Sequence, residues 1–220
     1  MKIAVRKPLP FRGGGFRKTM ARRSDHTRDE LEELILAEAH KLLAETGLQR
    51  FSAREVAKRI GYSVGTLYNV FGSLDRMLLA VNSRTFVTWA AEIAERLAGM
   101  EAGGDRIALL VRAYFDFATS NPNLWTAIYQ HRLPPGEEIP EAYFRQRGEL
   151  TSILENEIAR VLPADARDRA RPLARSLLAT VHGHVVFLIT GTFDLLGEVD
   201  PYGQALARVR EALIAAGARF

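Results

Sequence analysis

Apolar residues recur every three or four positions from Thr27 almost to the carboxyl terminus of this 220-residue chain. Side chains at that spacing share one face of an α-helix, so the period predicts amphipathic helices. No segment alternates apolar and polar residues between hairpin turns, as a half-buried strand would. The sequence therefore predicts an all-α protein. We expect about nine helices, at 27–46, 53–60, 64–71, 74–98, 105–120, 122–132, 140–162, 167–196 and 201–217.

Helix start and stop signals divide this apolar period into separate helices. Thr27 with Glu30, and Ser52 with Glu55, have the spacing of a capping box, in which a side-chain oxygen satisfies free amides of the first turn. Gly47 is placed to end the first helix, because glycine readily adopts the left-handed conformation of a helix end. The helix boundaries are thus predicted by local chemistry as well as by the apolar period.

The positive charge of the chain is concentrated in its first third. Residues 1–78 hold 15 Lys and Arg against 9 Asp and Glu, and the rest holds 15 against 17, for a net charge of +4. This asymmetry favours contact with a polyanion at the amino-terminal end, although a solvated basic tail would give the same count. Residues 1–24 have two prolines, a Gly-Gly-Gly triplet and no apolar period, which predicts a disordered basic arm with Met20 as an alternative start.

Several protein classes conflict with the composition. The chain has no cysteine, so disulfides and thiolate metal sites are excluded, in keeping with a reducing compartment. No apolar run approaches the roughly 20 residues of a membrane span, and the basic start lacks the apolar middle of a secretory signal. We therefore expect a cytoplasmic protein that has no membrane partner.

Residues 52–71, SAREVAKRIGYSVGTLYNVF, predict two short helices that cross closely at a sharp joint. Ala57 offers a small contact surface, and Gly61 permits the left-handed conformation that a tight joint requires. Ser63 is placed to cap the second helix. The apolar positions would turn inward together; they are Val56, Ile60, Tyr62, Leu67 and Val70. This is the pattern of a helix-turn-helix, whose second helix enters the major groove of DNA by its amino-terminal end.

The exposed residues of this motif then divide by chemistry. Thr66 and Tyr68 carry hydroxyls suited to phosphate oxygens, whereas Arg54 could grip a guanine edge or a phosphate. Val64 and Gly65 are small enough for close approach to bases. The predicted DNA-binding residues are Arg54, Ser63, Val64, Gly65, Thr66, Tyr68 and Asn69, with Lys58 and Arg59 adding charge nearby. An ordinary helical hairpin in a core is the alternative, but the small residue, the glycine and the apolar positions agree better with the DNA-binding motif.

The string from Phe51 to Leu78, and its G-T-L-Y-x-x-F portion above all, resembles the tetracycline-repressor (TetR) family of one-component regulators. The resemblance implies a three-helix DNA-binding domain, a helical ligand domain, a homodimer built by the last two long helices, and repression of transcription. We therefore divide the chain into a basic arm (1–24), a helix-turn-helix domain (25–72) and an effector-binding and dimerisation domain (73–220).

Two positions of the resemblance need comment. Family members often carry a phosphate-binding lysine just after the F-x-S string, where this chain has Leu74, which puts that contact in doubt. The string Val181-His182-Gly183 resembles the Trp-His-Gly string that names one subset of the family.

Aromatic residues in the carboxyl-terminal part suggest an effector cavity. A ligand-responsive regulator needs a site whose occupant favours one arrangement of its DNA-binding heads. The candidate lining residues, which combine apolar bulk with a few polar tips, are Phe115, Trp125, Tyr129, His131, Tyr143, Phe144, His182 and Phe187. Core packing is the alternative for each of them, since aromatic residues at helical spacing are commonly core. The effector itself is not identified by these residues.

The chain end predicts a homodimer. Segments 167–196 and 201–217 are more broadly apolar than helices of a monomer need to be, and with their copies they could form a four-helix interface. The alternative is that both pack only within their own domain. Palindromic double-stranded DNA, the expected operator, gives dimerisation a separate reason because a two-fold protein matches a two-fold site.

No catalytic or cofactor motif was found in the sequence. His182 and His184 lie two apart on a helix and point to different sides, so they cannot chelate one metal from a single face. We therefore expect no enzyme activity, no cofactor and no metal site. Three hypotheses remain: a ligand-responsive dimeric repressor, a DNA-binding regulator controlled by a protein partner, and a helical small-molecule-binding protein or enzyme with an incidental helix-turn-helix.

Overall fold

The computed structural model describes residues 26–100 and 104–219 of the chain. These residues form ten α-helices and no strand, which confirms the predicted all-α class. The helices are α1 (Arg28–Thr46), α2 (Ala53–Ile60), α3 (Val64–Phe71), α4 (Leu74–Leu97), α5 (Gly104–Ser120), α6 (Pro122–Gln130), α7 (Glu141–Val161), α8 (Ala170–Ile189), α9 (Thr192–Leu196) and α10 (Pro201–Ala215). The predicted amino-terminal arm, with Met20, lies outside the described residues.

One predicted helix, 167–196, was wrong. Its first residues belong to a 3-10 turn, Ala164–Arg169, and the α-helical part ends at Ile189. Gly191 follows with φ 71° and ψ 11°, a left-handed conformation that ends α8 and starts the short α9. Apolar residues continue through this break, so the period alone suggested one long helix. The left-handed glycine decides the boundary because it interrupts the backbone hydrogen bonds.

The predicted helix caps are largely present. The Thr27 and Glu30 side chains form a reciprocal capping box, with the Glu30 carboxylate accepting the Thr27 amide at 2.7 Å. The Ser52 hydroxyl accepts the Glu55 amide at 3.1 Å, so this serine caps α2. Glu55 instead directs its carboxylate toward basic residues of its own helix, within ion-pair distance of Lys58. Local hydrogen bonds thus start these helices where the sequence predicted.

Helix α4 is the central element of the fold. Its residues pack against α1 and α3 on the amino-terminal side and against α5, α6 and α7 on the other. Met77 and Val81 are fully buried near its start, and Trp89 and Ile93 are buried farther along. The buried core therefore continues from the amino-terminal helices into the carboxyl-terminal ones. Farther along the chain, α8 packs against α10 and α7.

A buried ion pair joins α5 to α7. The Arg106 guanidinium donates from Nε and Nη2 to the two oxygens of Glu157, each at 2.7 Å, and from Nη1 to the carbonyl oxygens of Leu97 and Met100. Both side chains are less than a tenth exposed. The Arg106 guanidinium holds the pKa of Glu157 below its ordinary value. This pair ties the end of α4 to α5 and α7, three helices that also surround the cavity described below.

Candidate functional site: a helix-turn-helix and an apolar cavity

Helices α2 and α3 meet at a tight joint. Gly61 adopts φ 75° and ψ 26°, the left-handed conformation predicted for it, and the Tyr62 amide donates to the Ala57 carbonyl at 2.9 Å. The inward side chains Val56 and Leu67 are fully buried. The joint therefore turns the apolar sides of both helices toward α1 and α4, and the opposite sides toward solvent.

The solvent-facing edge of this motif carries the predicted DNA-binding residues. Arg54, Ser63, Gly65, Tyr68 and Asn69 are exposed. Between them, Val64 and Thr66 are partly exposed. Tyr68 keeps 41% of its surface in water although it is an aromatic residue. An exposed aromatic ring is available to a partner, and all seven residues keep at least part of their surface in water.

Ser63 starts α3 by capping it. Its hydroxyl accepts the Thr66 amide at 3.1 Å and lies 2.9 Å from the Thr66 hydroxyl. The first amides of α3, at Val64 and Gly65, are left without helical partners, as at any helix start. The amino-terminal end of α3 thus presents N–H groups and the positive end of the helix dipole, a combination that favours negatively charged groups.

The two basic residues predicted to add charge beside the motif behave differently. Lys58 is 78% exposed and stays available to a polyanion. Arg59 instead pairs with Glu45 at 2.8 Å, Glu38 at 3.1 Å and Glu55 at 3.4 Å. The hydrogen bonds that Arg59 donates to these carboxylates, those to Glu45 and Glu38 above all, raise the pKa of Arg59. Arg59 therefore joins α2 to α1, and its charge is neutralised by carboxylates that the helical period could not place beside it.

The position where relatives often carry a lysine is filled by an apolar residue. Leu74 is the first residue of α4 and packs partly buried against the core. Ser73 caps the helix by accepting the Arg76 amide at 3.1 Å. Leu74 therefore supplies no ammonium group at this helix start.

A narrow apolar cavity lies among α4, α5, α6, α7 and α8. Its volume is about 80 Å³. The residues that line it are mostly aliphatic and aromatic: Phe86, Trp89, Ile93, Leu110, Tyr114, Ile128, Tyr129, Arg147, Leu150, Thr151, Ile153, Leu154 and Leu178. The typical ligand pocket has about 300–1,000 Å³, so this cavity must widen to hold a drug-sized molecule.

Among the aromatic residues predicted to line a cavity, Tyr129 does so. Trp125 and His182 pack directly behind it, with ring centroids 5.3 and 4.3 Å from the Tyr129 ring. Tyr143 packs edge-on against the cavity residue Phe86, at 5.5 Å between centroids. These four predicted residues therefore lie in or beside the cavity wall.

The other predicted lining residues lie elsewhere. Phe115 is buried in the core, and His131 Nε2 lies 3.2 Å from the carboxylate of Asp75. Phe144 and Phe187 are 57% and 42% exposed. The structure does not place these four residues in the cavity wall. The helical spacing of aromatic residues does not reveal which side of a helix faces a cavity.

Sequence reasoning missed other members of the cavity wall. Helix α7 supplies Arg147, Leu150, Thr151 and Leu154, which share one side of that helix at helical spacing. The only signal in the sequence was this ordinary amphipathic period, which also describes core residues. Helix α4 supplies Trp89, whose indole stacks on Phe117 at 4.1 Å between ring centroids.

Two tyrosines, a histidine and a tryptophan form a polar network at one end of the cavity. The Tyr114 hydroxyl lies 2.8 Å from the Tyr129 hydroxyl and 2.9 Å from His182 Nδ1, and it accepts from Trp125 Nε1 at 3.3 Å. Burial raises the pKa of both tyrosines and lowers the pKa of His182. The network is therefore neutral near pH 7, and its hydroxyls are already engaged with one another.

Helix α6 connects the cavity to the amino-terminal helices. Ile128 and Tyr129, near its end, line the cavity. At its start, the Asn123 amide nitrogen donates to the Ala44 carbonyl of α1 at 2.7 Å. A movement of α6 that accommodates a ligand would therefore act directly on α1, which packs against α2 and α3.

Neither the cavity nor the rest of the described chain resembles a metal centre. Among residues 26–100 and 104–219, no group of three or more His, Asp or Glu side chains is arranged to hold a metal ion. One helical segment of that part of the chain, Ala164–Ile189, is long and apolar enough to span a membrane by length and composition alone.

Two family models match the chain and together cover more than half of it. Residues 35–81 match the model described as bacterial regulatory proteins, tetR family, and residues 107–210 match the model described as tetracyclin repressor-like, C-terminal domain. The first range contains the helix-turn-helix and the second contains most of the cavity wall. Neither description concerns the Trp-His-Gly subset, so that assignment stays a prediction.

Individual curated relatives match part of the chain at low sequence identity. The nucleoid occlusion factor SlmA of Haemophilus influenzae is 26% identical over 106 residues, which are 48% of this chain and 49% of the relative. The chain thus spans about half the length of the first curated relatives that it matches.

Solved structures match over more of the chain. A protein of unknown function from Rhodococcus sp. RHA1 is 20% identical with a TM-score of 0.68, over 90% of this chain and 98% of that one. FadR of Bacillus subtilis, solved in complex with stearoyl-CoA, is 15% identical with a TM-score of 0.59, over 84% of this chain and 98% of that one. With the helix-turn-helix geometry and both family models in agreement, the chain belongs to the TetR family of DNA-binding bacterial regulatory proteins.

Proposed function

We propose that this protein is a homodimeric transcriptional repressor that binds a palindromic operator and is released from it by a small lipophilic ligand. One observation carries the DNA-binding part: the polar edge of α2 and α3 faces solvent, while Val56 and Leu67 on the opposite side are fully buried. Had that edge been packed inside the molecule, no duplex could reach it.

The residues of the edge take different roles in this proposal. The start of α3, with Val64 and Gly65, approaches the bases of the major groove. Thr66 and Tyr68 donate hydroxyl hydrogen bonds to phosphates, which position the protein without reading sequence. Arg54 grips a guanine edge. Ser63 and Asn69 supply further polar contacts on either side.

Selection of binding sites from random duplexes, followed by affinity measurement at several salt concentrations, tests the proposal. We expect a palindromic site whose affinity falls steeply as salt rises, because phosphate contacts release counterions. Tyr68→Phe should weaken binding to matched and mismatched duplexes alike. Tyr202→Phe is the matched control, because that hydroxyl donates to the Ala108 carbonyl far along the chain and should leave affinity unchanged. If the protein bound no duplex even at low salt, the proposal would be contradicted.

Arg54→Ala separates base reading from phosphate contact. If Arg54 contacts a guanine, Arg54→Ala should weaken the free energy of binding to the selected site by about 1–3 kcal/mol. It should have little effect on binding to a site that is altered at that base. Lys58→Ala is the control. If this exposed lysine contacts only phosphate, its loss should weaken binding to all duplexes equally. A uniform loss in Arg54→Ala would assign this arginine to a phosphate instead.

The dimer part of the proposal is supported by exposed apolar residues near the chain end. Leu195 and Leu196 are 89% and 67% exposed, and Ile214 of α10 is 58% exposed. Phe187 of α8 is also exposed. These residues occupy the segments that the sequence predicted for dimerisation, and a second copy would remove their apolar surface from water.

Light scattering at several protein concentrations tests the dimer. We expect the unaltered chain to be dimeric and Ile214→Glu to be monomeric, because a buried interface does not accept an unpaired carboxylate. Val87→Glu, at a similarly exposed valine of α4, should stay dimeric. A monomeric unaltered protein would contradict the proposed dimer. A dimeric Ile214→Glu variant would show that the interface does not include Ile214.

Ligand release is supported by the position of α6 between the cavity and α1. FadR, a structural neighbour, was solved with stearoyl-CoA, so a protein of this fold can hold a lipophilic molecule. In this chain, Asn123→Ala would remove the hydrogen bond from α6 to α1. We expect this variant to keep ligand affinity and DNA affinity but to need more ligand for release. Unchanged release would exclude this hydrogen bond as the connection.

A second candidate function follows from the narrowness of the cavity. At about 80 Å³ it lacks space for a drug-sized ligand without rearrangement. A DNA-binding regulator controlled by a protein partner needs no cavity at all. Operator binding that no small lipophilic compound changes, together with a partner that changes it, would favour this candidate.

A further inference from the structure

The polar groups of the cavity wall differ in whether they already have a partner. Tyr114 and Tyr129 are hydrogen-bonded to each other, and the Thr151 hydroxyl donates to the Gly148 carbonyl at 3.0 Å. Two nitrogen donors in the wall lack such partners. The indole N–H of Trp89 is buried and has no acceptor, and among the described residues no carboxylate lies within ion-pair distance of Arg147.

Arg147 occupies a distinct place in this wall. Among the described residues that line the cavity, it alone carries a charge. It is exposed to solvent, whereas Leu150 and Leu154, farther along the same side of α7, are partly buried. The cavity therefore has an apolar interior and one cationic group at its solvent-exposed side. Tyr129 and Tyr143 lie close enough to feel this charge, which acts to lower the pKa of each hydroxyl against the larger effect of burial.

We propose that the cavity binds an amphipathic carboxylate, with an apolar body among the aromatic and aliphatic residues and its carboxylate on the Arg147 guanidinium. This assignment names the ligand class of the effector site and so rests on the proposed ligand-responsive function. A planar guanidinium matches a carboxylate with two parallel hydrogen bonds, and the unpaired donors leave room for an acceptor but not for a cation. A neutral lipophile would fill the same apolar space but leave Arg147 without a counter-charge.

Octanoate and 1-octanol are suitable probes because they share an apolar chain and differ in charge. The full-length protein is titrated with each at pH 7.5, below micelle formation, by intrinsic fluorescence and by calorimetry. The chain has two tryptophans, Trp89 in the cavity wall and Trp125 behind it, so binding is read without DNA. We expect octanoate to bind on the order of tenfold more tightly than octanol, a modest ratio for a paired carboxylate because Arg147 is exposed to solvent.

Two arginine variants decide whether the preference comes from Arg147. Arg147→Gln should bind octanoate and octanol within about a factor of two of each other. Arg145→Gln is the control, since Arg145 is also exposed on α7 but does not line the cavity; it should keep the preference. Equal binding of both probes to the unaltered protein, an unchanged preference in Arg147→Gln, or no saturable binding of either probe would overturn the inference.

The same protein samples keep this inference separate from the proposed function. Ligand-free protein that binds its selected duplex but neither probe would overturn the ligand class and leave the DNA-binding proposal standing. Octanoate binding that depends on Arg147 but leaves the protein on DNA would support the ligand class and contradict ligand release.

Discussion

The helix-turn-helix and the cavity region are built by contacts of different range. In the first, the Ser63 cap and the left-handed Gly61 act within a single turn of their own helices. In the second, Arg106 meets Glu157 across 51 positions of the chain, and Tyr114 meets His182 across 68. The helix-turn-helix is thus shaped largely by contacts within a helical turn, whereas the cavity depends on how distant helices pack.

The difference fits the two tasks that the proposed function requires. A DNA-binding edge has to present one geometry to a regular duplex, and short-range caps and a tight joint hold it rigidly. A cavity that responds to a ligand has to change shape, and loosely filled space among several helices permits that change.

The largest effect is expected from breaking the long-range buried pair. Glu157→Gln removes the buried carboxylate that accepts two hydrogen bonds from the Arg106 guanidinium, which should reduce the free energy of unfolding by about 3–5 kcal/mol in chemical denaturation. Glu155→Gln is the control, because its partner Arg171 is 69% exposed and lies 3.7 Å away; its loss should stay under about 1 kcal/mol. Equal losses in both variants would contradict the importance of the buried pair.

The next largest effect is expected from shortening a buried side chain of the helix-turn-helix. Leu67 is fully buried, so Leu67→Ala should reduce the free energy of unfolding by about 2–5 kcal/mol and abolish DNA binding. Leu178→Ala, in the cavity wall where packing is already incomplete, should cost less and preserve DNA binding. Denaturation curves and duplex titrations measure both. If Leu178→Ala were the more damaging change, the comparison of a rigid motif with a loosely filled cavity would fail.

Alanine substitutions at two glycines, one in each region, should change the free energy of unfolding in opposite directions. Gly61 has a positive φ, so Gly61→Ala should lower the free energy of unfolding by about 1–2 kcal/mol, although the added methyl group meets open space. Gly148 lies within α7 and also has open space around it, so Gly148→Ala should add about 0.5–1 kcal/mol of stability. Thermal and chemical unfolding of the two variants give the signs directly. Stabilisation by Gly61→Ala would mean that the joint does not need its left-handed residue.

The smallest effect is expected from pH. Because Arg106 lowers the pKa of Glu157 in the folded chain, the ionised pair contributes stability above the ordinary value of 4.5. That contribution is lost as the pH falls through the lowered pKa, where the folded chain takes up a proton. The unaltered protein should therefore lose more stability than Glu157→Gln as the pH falls below 4.5. Parallel pH profiles of unfolding free energy for the two proteins would contradict the assignment.

Sequence reasoning reached the helix-turn-helix in detail but the cavity only in outline. The predicted bounds of α2 and α3, the joint at Gly61 and the Ser63 cap agree with the structure. Phe144 and Phe187 were predicted to line a cavity and are instead exposed. Nothing in the sequence distinguished Arg147, because one arginine in an amphipathic helix usually belongs to its solvated side.

The amino-acid sequence by itself determined the all-α class, most helix bounds, the helix-turn-helix and the resemblance to TetR regulators. These features depend on capping, left-handed glycines and apolar spacing, which act within a few residues. Only the tertiary structure decided that Trp89 and Arg147 share one cavity and that Arg59 is neutralised by carboxylates of α1. Those features depend on which faces of distant helices meet, and many packings satisfy the same apolar period.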